Sequence, residues 1–542
     1  MTAGGDASAA GAPTTAAAAT TGAAVVQALT ANGVELVFGI PGTHNLEIYR
    51  ALPGSGIRHV TPRHEQGGGY AADAYARVSG RPGVVVTTTG PGLTNASTAL
   101  ATSYADSIPV LLISPGVPRG MERQDIGWLH ELRDQHAHLA AIVDSHRVDS
   151  AAEAVAVVNN AFANWRVARP RPVHVEIPLD VLDGEAQPAD GTAVVPAATS
   201  PPSPSDDAVA AAADALAAAS SVVIVAGGGA RTATDELRAV AERLDAPVIT
   251  TVNGKGVLPE THRLSLGASI RLPVAQQIIS GSGALLVVGT VLGDDELWGQ
   301  VVQHDGAVVR IDIDADQLHK NLPSTHPLHG AAGGVLRRLE EALPAKPASS
   351  LGEQAGELRA RCDEAALETG RPFAPWHAAL REVLPPETVI SGDSAQVSYF
   401  GTAHQWPAQR PGQFVYPAGY ATLGYGIPGG IGASLGAPGT PVVVVAGDGG
   451  TMFTIQEFAT AADLHLPLPV IVMNNGGFQE IREGMESRGM APLAVDVRSP
   501  DFPLLGEALG GAGARAATPT ELAAEVSKAL SRDVPTLIDV PL

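Results

Sequence analysis

The 542-residue chain is short of three things, and each shortage excludes a class of protein. It contains a single cysteine, Cys362. One thiol closes no intrachain disulfide and builds no Cys-rich zinc site, so the chain suits a reducing compartment and is expected in the cytoplasm. Basic residues are outnumbered, with 34 Lys and Arg against 56 Asp and Glu and a net charge of −22. That balance disfavours binding to phosphate backbones, and nucleic acid is not an expected partner. No run of about 18 apolar residues occurs that would cross a bilayer. No Lys or Arg precedes Arg50, so the basic start of a secretory signal is missing and no membrane association is expected. Residues 1–21, rich in Ala, Gly and Thr, read as a disordered tail.

What remains is the composition of a globular protein, 45% apolar and 17% charged, long enough for three or four domains at about 150 residues each. Short apolar, β-branched runs recur between helical stretches, at 84–89, 109–114, 173–177, 222–226, 247–251, 285–289, 308–313, 388–391, 442–446, 468–473 and 536–540. Continuous apolar runs alternating with amphipathic helices predict parallel sheets covered on both faces. Pro-rich or Ser-rich breaks at 188–207 and 343–356 read as linkers. The expected architecture is therefore α/β, with three doubly wound parallel-sheet domains over 22–187, 205–342 and 357–542.

The densest chemistry lies in the third block. The run 442–446 leads into Gly447-Asp448-Gly449-Gly450 and a helix expected near Thr454, with Gln456 and Glu457 in its first turn. The run 468–473 ends at Asn474 and Asn475, with 27 residues from Asp448 to Asn475. That interval fits one strand–helix–strand unit, which brings both tips to the carboxyl edge of one sheet, where open parallel sheets bind ligands. A carboxylate, an amide oxygen and a backbone carbonyl are hard donors for Mg²⁺, which takes its other ligands from phosphate and water. The glycines let a phosphate approach the backbone, and a helix start meets it with N–H groups. Gly-Asp-Gly alone also suits a strand-end turn; the Asn pair at this spacing favours a diphosphate–metal site.

These residues resemble the thiamine-diphosphate enzymes, whose signature is Gly-Asp-Gly followed one strand–helix–strand unit later by Asn-Asn. Other segments are similar to that family as well: Gly424-Tyr425-Gly426-Ile427-Pro428 preceded by Leu423, Arg63-His64-Glu65-Gln66 followed by 71–77, Phe38-Gly39-Ile40-Pro41-Gly42, and Gly90-Pro91-Gly92-Leu93-Thr94-Asn95. The resemblance covers about 22–542, in the pyrimidine-binding, middle Rossmann-like and diphosphate-binding order of acetolactate synthases and simple 2-oxoacid decarboxylases. It implies thiamine diphosphate and Mg²⁺ as cofactors, with Asp448, Asn475 and the Gly477 carbonyl on the metal. It implies Glu65 as the acid that activates the pyrimidine, Leu423 as the prop that bends the cofactor, and the Ala421 carbonyl as a pyrimidine contact. Pro41, Gly42, Asn95, Ser394, Gln396, Gly447, Gly449 and Gly450 are the remaining implied cofactor contacts.

On the substrate side the candidates are His44, His130, Gln135 and Glu480; a histidine near its ordinary pKa can move protons in either direction. Acetolactate synthases have Phe-Gln-Glu where this chain has Leu129-His130-Glu131, which disfavours acetolactate synthesis. The Gly-rich turn 227–230 is a weak nucleotide cradle, and the stretches 266–271 and 289–295 depart from the flavin-binding pattern, so FAD is not expected. The run 253–260 is closer to 5-guanidino-2-oxopentanoate decarboxylases. The expected activity is decarboxylation of a small-molecule 2-oxo acid to an aldehyde. A carboligase is the alternative, and a catalytically silent thiamine-binding subunit is a third reading that intact Glu65, Asp448 and Asn475 oppose. In this family the pyrimidine and diphosphate domains meet across a subunit interface, which implies a homodimer at minimum and a tetramer as the usual state. Leu542 follows directly on the last expected strand, which suggests an open site suited to a substrate longer than pyruvate.

Overall fold

The computed structural model describes residues 19–186, 200–344 and 350–542. Most of the expected tail and much of the first expected linker lie outside the described residues. Residues 20 and 21 are ordered structure: Thr20 Oγ1 accepts from Ala23 N at 3.3 Å and caps the helix Thr21–Ala31, and Thr21 N donates to Gly184 O at 3.0 Å. The second expected linker, 343–356, includes the helix Ser350–Glu353 and the start of the helix Ala355–Gly370.

Three parallel sheets organise the chain. The first contains β1 (Leu36–Gly39), β2 (Arg58–Val60), β3 (Gly83–Val86), β4 (Val110–Gly116), β5 (Asp144–Arg147) and β6 (Val173–Pro178), in the order β2-β1-β3-β4-β6-β5. The second contains β7 (Val222–Ala226), β8 (Val248–Thr250), β9 (Ala284–Val288), β10 (Ala307–Asp312) and β11 (His326–His329), in the order β11-β10-β9-β7-β8. The third contains β12 (Val389–Gly392), β13 (Phe414–Val415), β14 (Val442–Gly447), β15 (Pro469–Asn474), β16 (Ala512–Arg515) and β17 (Thr536–Pro541), in the order β13-β12-β14-β15-β17-β16. All three are α/β layers with helices between successive strands, as the apolar runs predicted.

Each expected run holds a strand, with ends shifted by a few residues at most. The strands that composition did not signal are β1 and five edge strands: β2, β5, β11, β13 and β16. An edge strand is paired on one side only and is less covered, so it needs no continuous apolar run. Asp144-Ser145-His146-Arg147 in β5 has no fully buried residue.

The first and third blocks dock through two helices, Glu65–Ser79 and Gly426–Gly436. A Cβ at Gly432 would come within 2.0 Å of Ala71 O, so the helices meet backbone to backbone. Beside this contact lies a buried polar node. Arg77 Nε donates to Asp73 Oδ1 at 2.5 Å, Nη2 to Asp106 Oδ2 at 2.7 Å and Nη1 to Asn253 Oδ1 at 3.1 Å. Asp73 also accepts from Tyr425 OH at 2.7 Å and Ser103 Oγ at 2.9 Å, and Asp106 from Asn253 Nδ2 at 2.8 Å and Gly419 N at 2.9 Å. Burial opposes the charge of Arg77, but Asp73 and Asp106 outweigh it and hold the guanidinium well above its ordinary pKa. This cluster thereby joins all three blocks.

Removing Arg77 leaves two buried carboxylates without their cation, a loss of about 3–5 kcal/mol. Arg77→Met should therefore lower the first urea midpoint markedly, and Arg77→Lys should recover only part of it, because an ammonium cannot span both carboxylates and the amide. An unchanged midpoint in Arg77→Met would show that the node does not hold the blocks together.

Candidate active site

The register of the third sheet builds the first half of the site. Gly447 pairs with Met473, so the residues that follow, Asp448 on one strand and Asn474 and Asn475 on the other, leave the sheet side by side. Asp448 is buried and starts a single helical turn, Asp448–Thr451; the following helix is Glu457–Asp463, later than the start near Thr454 that the pattern predicted. The Asn475 side-chain amide lies 3.1 Å from Asp448 Oδ1 and 3.0 Å from Gly477 O, and in the orientation that satisfies both contacts its Nδ2 donates to them. Turned over, the amide would present Oδ1 beside the Asp448 carboxylate and the Gly477 carbonyl. Ser499, which sequence reasoning missed, places Oγ 2.8 Å from Asp448 Oδ2 and 3.1 Å from Asn474 Oδ1, and donates its one proton to the nearer carboxylate. A cavity of about 310 Å³ opens here, lined by Asp448, Gly449, Phe453, Phe478, Arg498 and Ser499 among others. Among the described residues no group of three or more His, Cys, Asp or Glu side chains forms a metal site. An oxygen set of one carboxylate, one amide and one carbonyl is what the site offers a hard cation.

Around this centre, Gly449 and Gly450 are buried and Gly447 is half-buried. Buried Asp393 accepts from Ser394 N at 2.8 Å, Gly424 N at 3.0 Å and Gly426 N at 3.0 Å, tying the tip of β12 to the loop that carries Leu423. Burial raises its pKa, and these three N–H groups counter it. Leu423 is half-buried and Ala421 is exposed. Ala421 has a left-handed φ of 51°, a backbone conformation that favours glycine. Gln396, expected on the diphosphate, donates from Nε2 to Glu480 Oε2 at 2.9 Å and Glu483 Oε2 at 2.8 Å, and Tyr399 OH donates to Glu480 Oε2 at 2.8 Å.

The second half stands on the first sheet. Glu65 opens the helix Glu65–Ser79, is half-buried, and accepts from Asn95 Nδ2 at 3.0 Å. The turn before it is held from the third block: buried Glu457 accepts from Arg63 N at 3.1 Å, His64 N at 2.9 Å and Thr460 Oγ1 at 2.8 Å. Pro41 and Gly42 form a turn fixed by buried Asn45, whose Oδ1 accepts from Gly42 N at 2.8 Å and whose Nδ2 donates to Ile40 O at 3.0 Å. His44 is buried and stacks on Trp128 at 4.6 Å between ring centres. Burial, and then neighbouring His130, pushes its pKa down. Gln135 fixes the start of the Asn95 helix, accepting on Oε1 from Gly90 N at 2.9 Å while Nε2 donates to Pro115 O at 2.7 Å. Hence the structure groups Glu65, Asn95, Pro41, Gly42, His44, His130 and Gln135 at the tips of the first sheet, and Asp448, Asn475, Gly477, Glu480 and Gln396 at those of the third. Asp393, Glu457, Asn45 and Ser499 carried no motif; each is a polar residue outside the signature segments or a helix-start carboxylate whose partner lies in another block.

Three α/β blocks, with a carboxylate–amide pair on the first sheet and an oxygen cluster on the third, define a multidomain cofactor enzyme. The comparisons with known proteins specify which. Residues 19–138 match the N-terminal TPP binding domain of thiamine pyrophosphate enzymes, 209–339 the central domain and 393–540 the C-terminal TPP binding domain. The chain belongs to the thiamine pyrophosphate enzyme family, and it is a thiamine-diphosphate-dependent enzyme. It is 40% identical over 525 residues to a probable 2-ketoarginine decarboxylase of Pseudomonas aeruginosa, covering 95% of this chain and 93% of that one. It is 31% identical to a probable acetolactate synthase large subunit of Methanocaldococcus jannaschii, with 95% and 91% covered, and 33% identical to an acetolactate synthase of Mycobacterium bovis, with 95% and 87% covered. No helix among the described residues is long and apolar enough to cross a membrane.

The loop after Asn475 zips onto a neighbouring segment: Phe478 N donates to Val495 O at 2.9 Å and Val497 N to Gly476 O at 3.2 Å. Gly477 has a φ of 155°, and a Cβ on it would come within 2.1 Å of Val495 O. Gly477→Ala should open this zip at a cost of about 1–3 kcal/mol. Trypsin cleavage after Arg482 and Arg488 should then accelerate roughly five- to a hundredfold, with the Arg77-dependent unfolding unchanged. Equal cleavage rates in both proteins would contradict it.

Proposed function

We propose that this chain catalyses the non-oxidative decarboxylation of a 2-oxo acid larger than pyruvate, releasing an aldehyde and CO₂. The observation that carries the reading is the near full-length likeness to the probable 2-ketoarginine decarboxylase, combined with His130 at the position expected to be glutamine in an acetolactate synthase. A second reading, carboligation, is favoured by the acetolactate synthase relatives.

The residues present fit the cofactor. Thr88 Oγ1 is buried without a partner among the described residues and lies next to Gly42 and Gly92, and a Cβ on Gly92 would approach Glu65 Oε1 to 3.2 Å. The unpartnered hydroxyl and the Glu65 carboxyl would offer a polar ring edge a partner there. Asp448, Asn475 Oδ1 and Gly477 O would hold Mg²⁺, with the diphosphate against Gly447, Gly449, Gly450 and Ser394. Glu65, oriented by Asn95, would share its proton with the pyrimidine, and Leu423 and Ala421 would seat that ring. When bound, thiamine diphosphate supplies a nucleophilic carbon and the electron sink for departing CO₂. His44, neutral at pH 7 because its pKa lies below the ordinary value, can give a proton to the substrate-derived carbon and receive one from its hydroxyl. Glu480 and Glu483 would favour a substrate with a cationic tail. No flavin is proposed for the middle block, where Arg271 is engaged with His404 Nε2 at 2.8 Å and under Trp298 at 4.2 Å.

The two halves are proposed to meet across a homodimer, which pairs into a tetramer. Supporting this, Ile126 and Leu129 are exposed on the first half, and Met452, Phe453, Ile481 and Leu493 on the second.

Purified protein with thiamine diphosphate and Mg²⁺ should convert 5-guanidino-2-oxopentanoate to CO₂ and aldehyde faster than it converts pyruvate, and denaturation should release thiamine diphosphate but no flavin. Acetolactate as the chief product from pyruvate would overturn the reading. Asp448→Ala should weaken binding of the cofactor with Mg²⁺ by roughly tenfold or more in calorimetry, through loss of a charged metal ligand. Undiminished affinity would remove Asp448 from the metal.

A further inference from the structure

Between the two histidines of the first half stands a threonine. Thr89 is buried at the turn that follows β3, and its Oγ1 lies 2.6 Å from His44 Nδ1 and 3.3 Å from His130 Nδ1. The two rings also touch edge to face, with centres 5.2 Å apart. Both approach from separate loops, His44 after β1 and His130 after β4. The backbone packs closely here: His130 has a left-handed φ of 66°, and a Cβ on Gly90 would come within 2.5 Å of its carbonyl oxygen. The Gly90 N–H is held by Gln135. Among the described residues, neither His44 Nε2 nor His130 Nε2 has a protein hydrogen-bond partner, so both remain free for a ligand.

A hydroxyl has one proton. Placed between two ring nitrogens, it donates to one and accepts from the other. One imidazole must therefore carry its proton on Nδ1 and the other must not. The distances choose the direction, because hydrogen bonds donated by hydroxyls are shorter than those donated by N–H groups. Thr89 O–H donates along the 2.6 Å contact to His44 Nδ1, and His130 Nδ1–H donates along the 3.3 Å contact to Thr89.

We propose that Thr89 is a positioning residue that holds His44 and His130 as opposite neutral tautomers, giving the site one imidazole donor, His44 Nε2–H, and one imidazole acceptor, His130 Nε2. On the decarboxylase reading, this sets which ring delivers the proton. When His44 Nε2–H gives its proton to the substrate-derived carbon, Nδ1 takes the proton of Thr89. Thr89 Oγ1 takes the Nδ1 proton of His130, and His130 Nε2 gains one from water. One proton enters and one leaves, no ring stays charged, and removing the hydroxyl proton of the product runs the same path backwards.

The test uses the full-length, cofactor-free protein labelled with ¹⁵N in histidine only and studied by magic-angle-spinning NMR at neutral pH. His44→Gln and His130→Gln assign the two rings by subtraction. The expected wild-type spectrum shows His44 protonated on Nε2 alone and His130 on Nδ1 alone. Thr89→Val should leave at least one ring as a mixture of tautomers, and Thr89→Ser should restore the wild-type pattern. Identical tautomers, a charged ring in the wild type, or an unchanged Thr89→Val spectrum would overturn the proposal. Once assigned, the wild-type spectrum decides even if a Thr89 variant fails to fold. It needs no substrate, so its failure is distinct from that of the decarboxylase reading, which product analysis settles. In single turnovers of the loaded enzyme, Thr89→Val should slow aldehyde release roughly tenfold or more relative to CO₂ formation, and equal slowing of both would also count against it.

Discussion

A buried guanidinium between two buried carboxylates is the constraint on which the arrangement of the blocks depends. Arg77 and Asp73 lie one helical turn apart, so the pair could satisfy itself within its own helix. The remaining capacity of the cluster is what reaches outwards, to Asp106 on the next helix, Asn253 of the middle block and Tyr425 of the third. Arg231 of the middle block adds a bond to the Arg77 carbonyl. Such a cluster contributes less net stability than an apolar contact of equal volume would, because its desolvation is costly. Its effect is selective: a block docked in another register would leave a buried charge or amide unpaired. The close contact of Gly432 with Ala71 acts in the same sense, since a slide would bring a Cβ against the Ala71 carbonyl.

A further polar contact extends this logic to the joint between the middle and third blocks. The middle block reaches the third through Lys255, buried against both oxygens of Glu260 at 2.7 Å and the Ala403 carbonyl at 2.9 Å. The run 253–260, read from sequence as a subfamily signature, is thus an inter-block joint with Asn253 at one end and Lys255 near the centre. Its glycines allow close approach, Gly254 to the Ala226 carbonyl and Gly256 to the Arg410 carbonyl.

Much of the fold was legible because central strands of a doubly wound sheet are covered on both faces and spell that out as Val-Val-Val-Val at 442–445 or Leu-Leu-Val-Val at 285–288. Edge strands such as Phe414–Val415 were not, since two residues paired on one side need no pattern. The candidate site was legible wherever its residues sit at strand tips within a motif, as with Asp448, Asn475 and Glu65. It was illegible where a residue works from a distance in sequence. Ser499 lies 51 positions from Asp448, and Glu457 lies 393 positions from His64. Thr89 was hidden differently: it is the last of three consecutive threonines, and only the chain path shows that its hydroxyl falls between two imidazoles while those of Thr87 and Thr88 find no partner among the described residues.

The contact of Glu457 with the Arg63–His64 turn ties the two half-sites of one chain to each other. Glu457 is the first residue of its helix, and the segment from Asp448 to Gln456 connects it directly to the oxygen cluster. Its carboxylate accepts the N–H groups that precede Glu65, a group of bonds made to an ionisable oxygen in a buried setting and each worth about 1.5–3 kcal/mol. Burial raises the pKa of this carboxyl, and the Arg63 and His64 N–H groups act in the opposite sense by favouring its charged form. A shift at the tip of β14 therefore pulls on the start of the Glu65 helix through one short covalent segment and one carboxylate. The helix itself cannot yield, since its far end is anchored at Arg77. The helix that carries Glu65 is held by a clamp from the third block at its start and by the three-block node at its far end, while the Glu65 carboxyl accepts from Asn95 Nδ2.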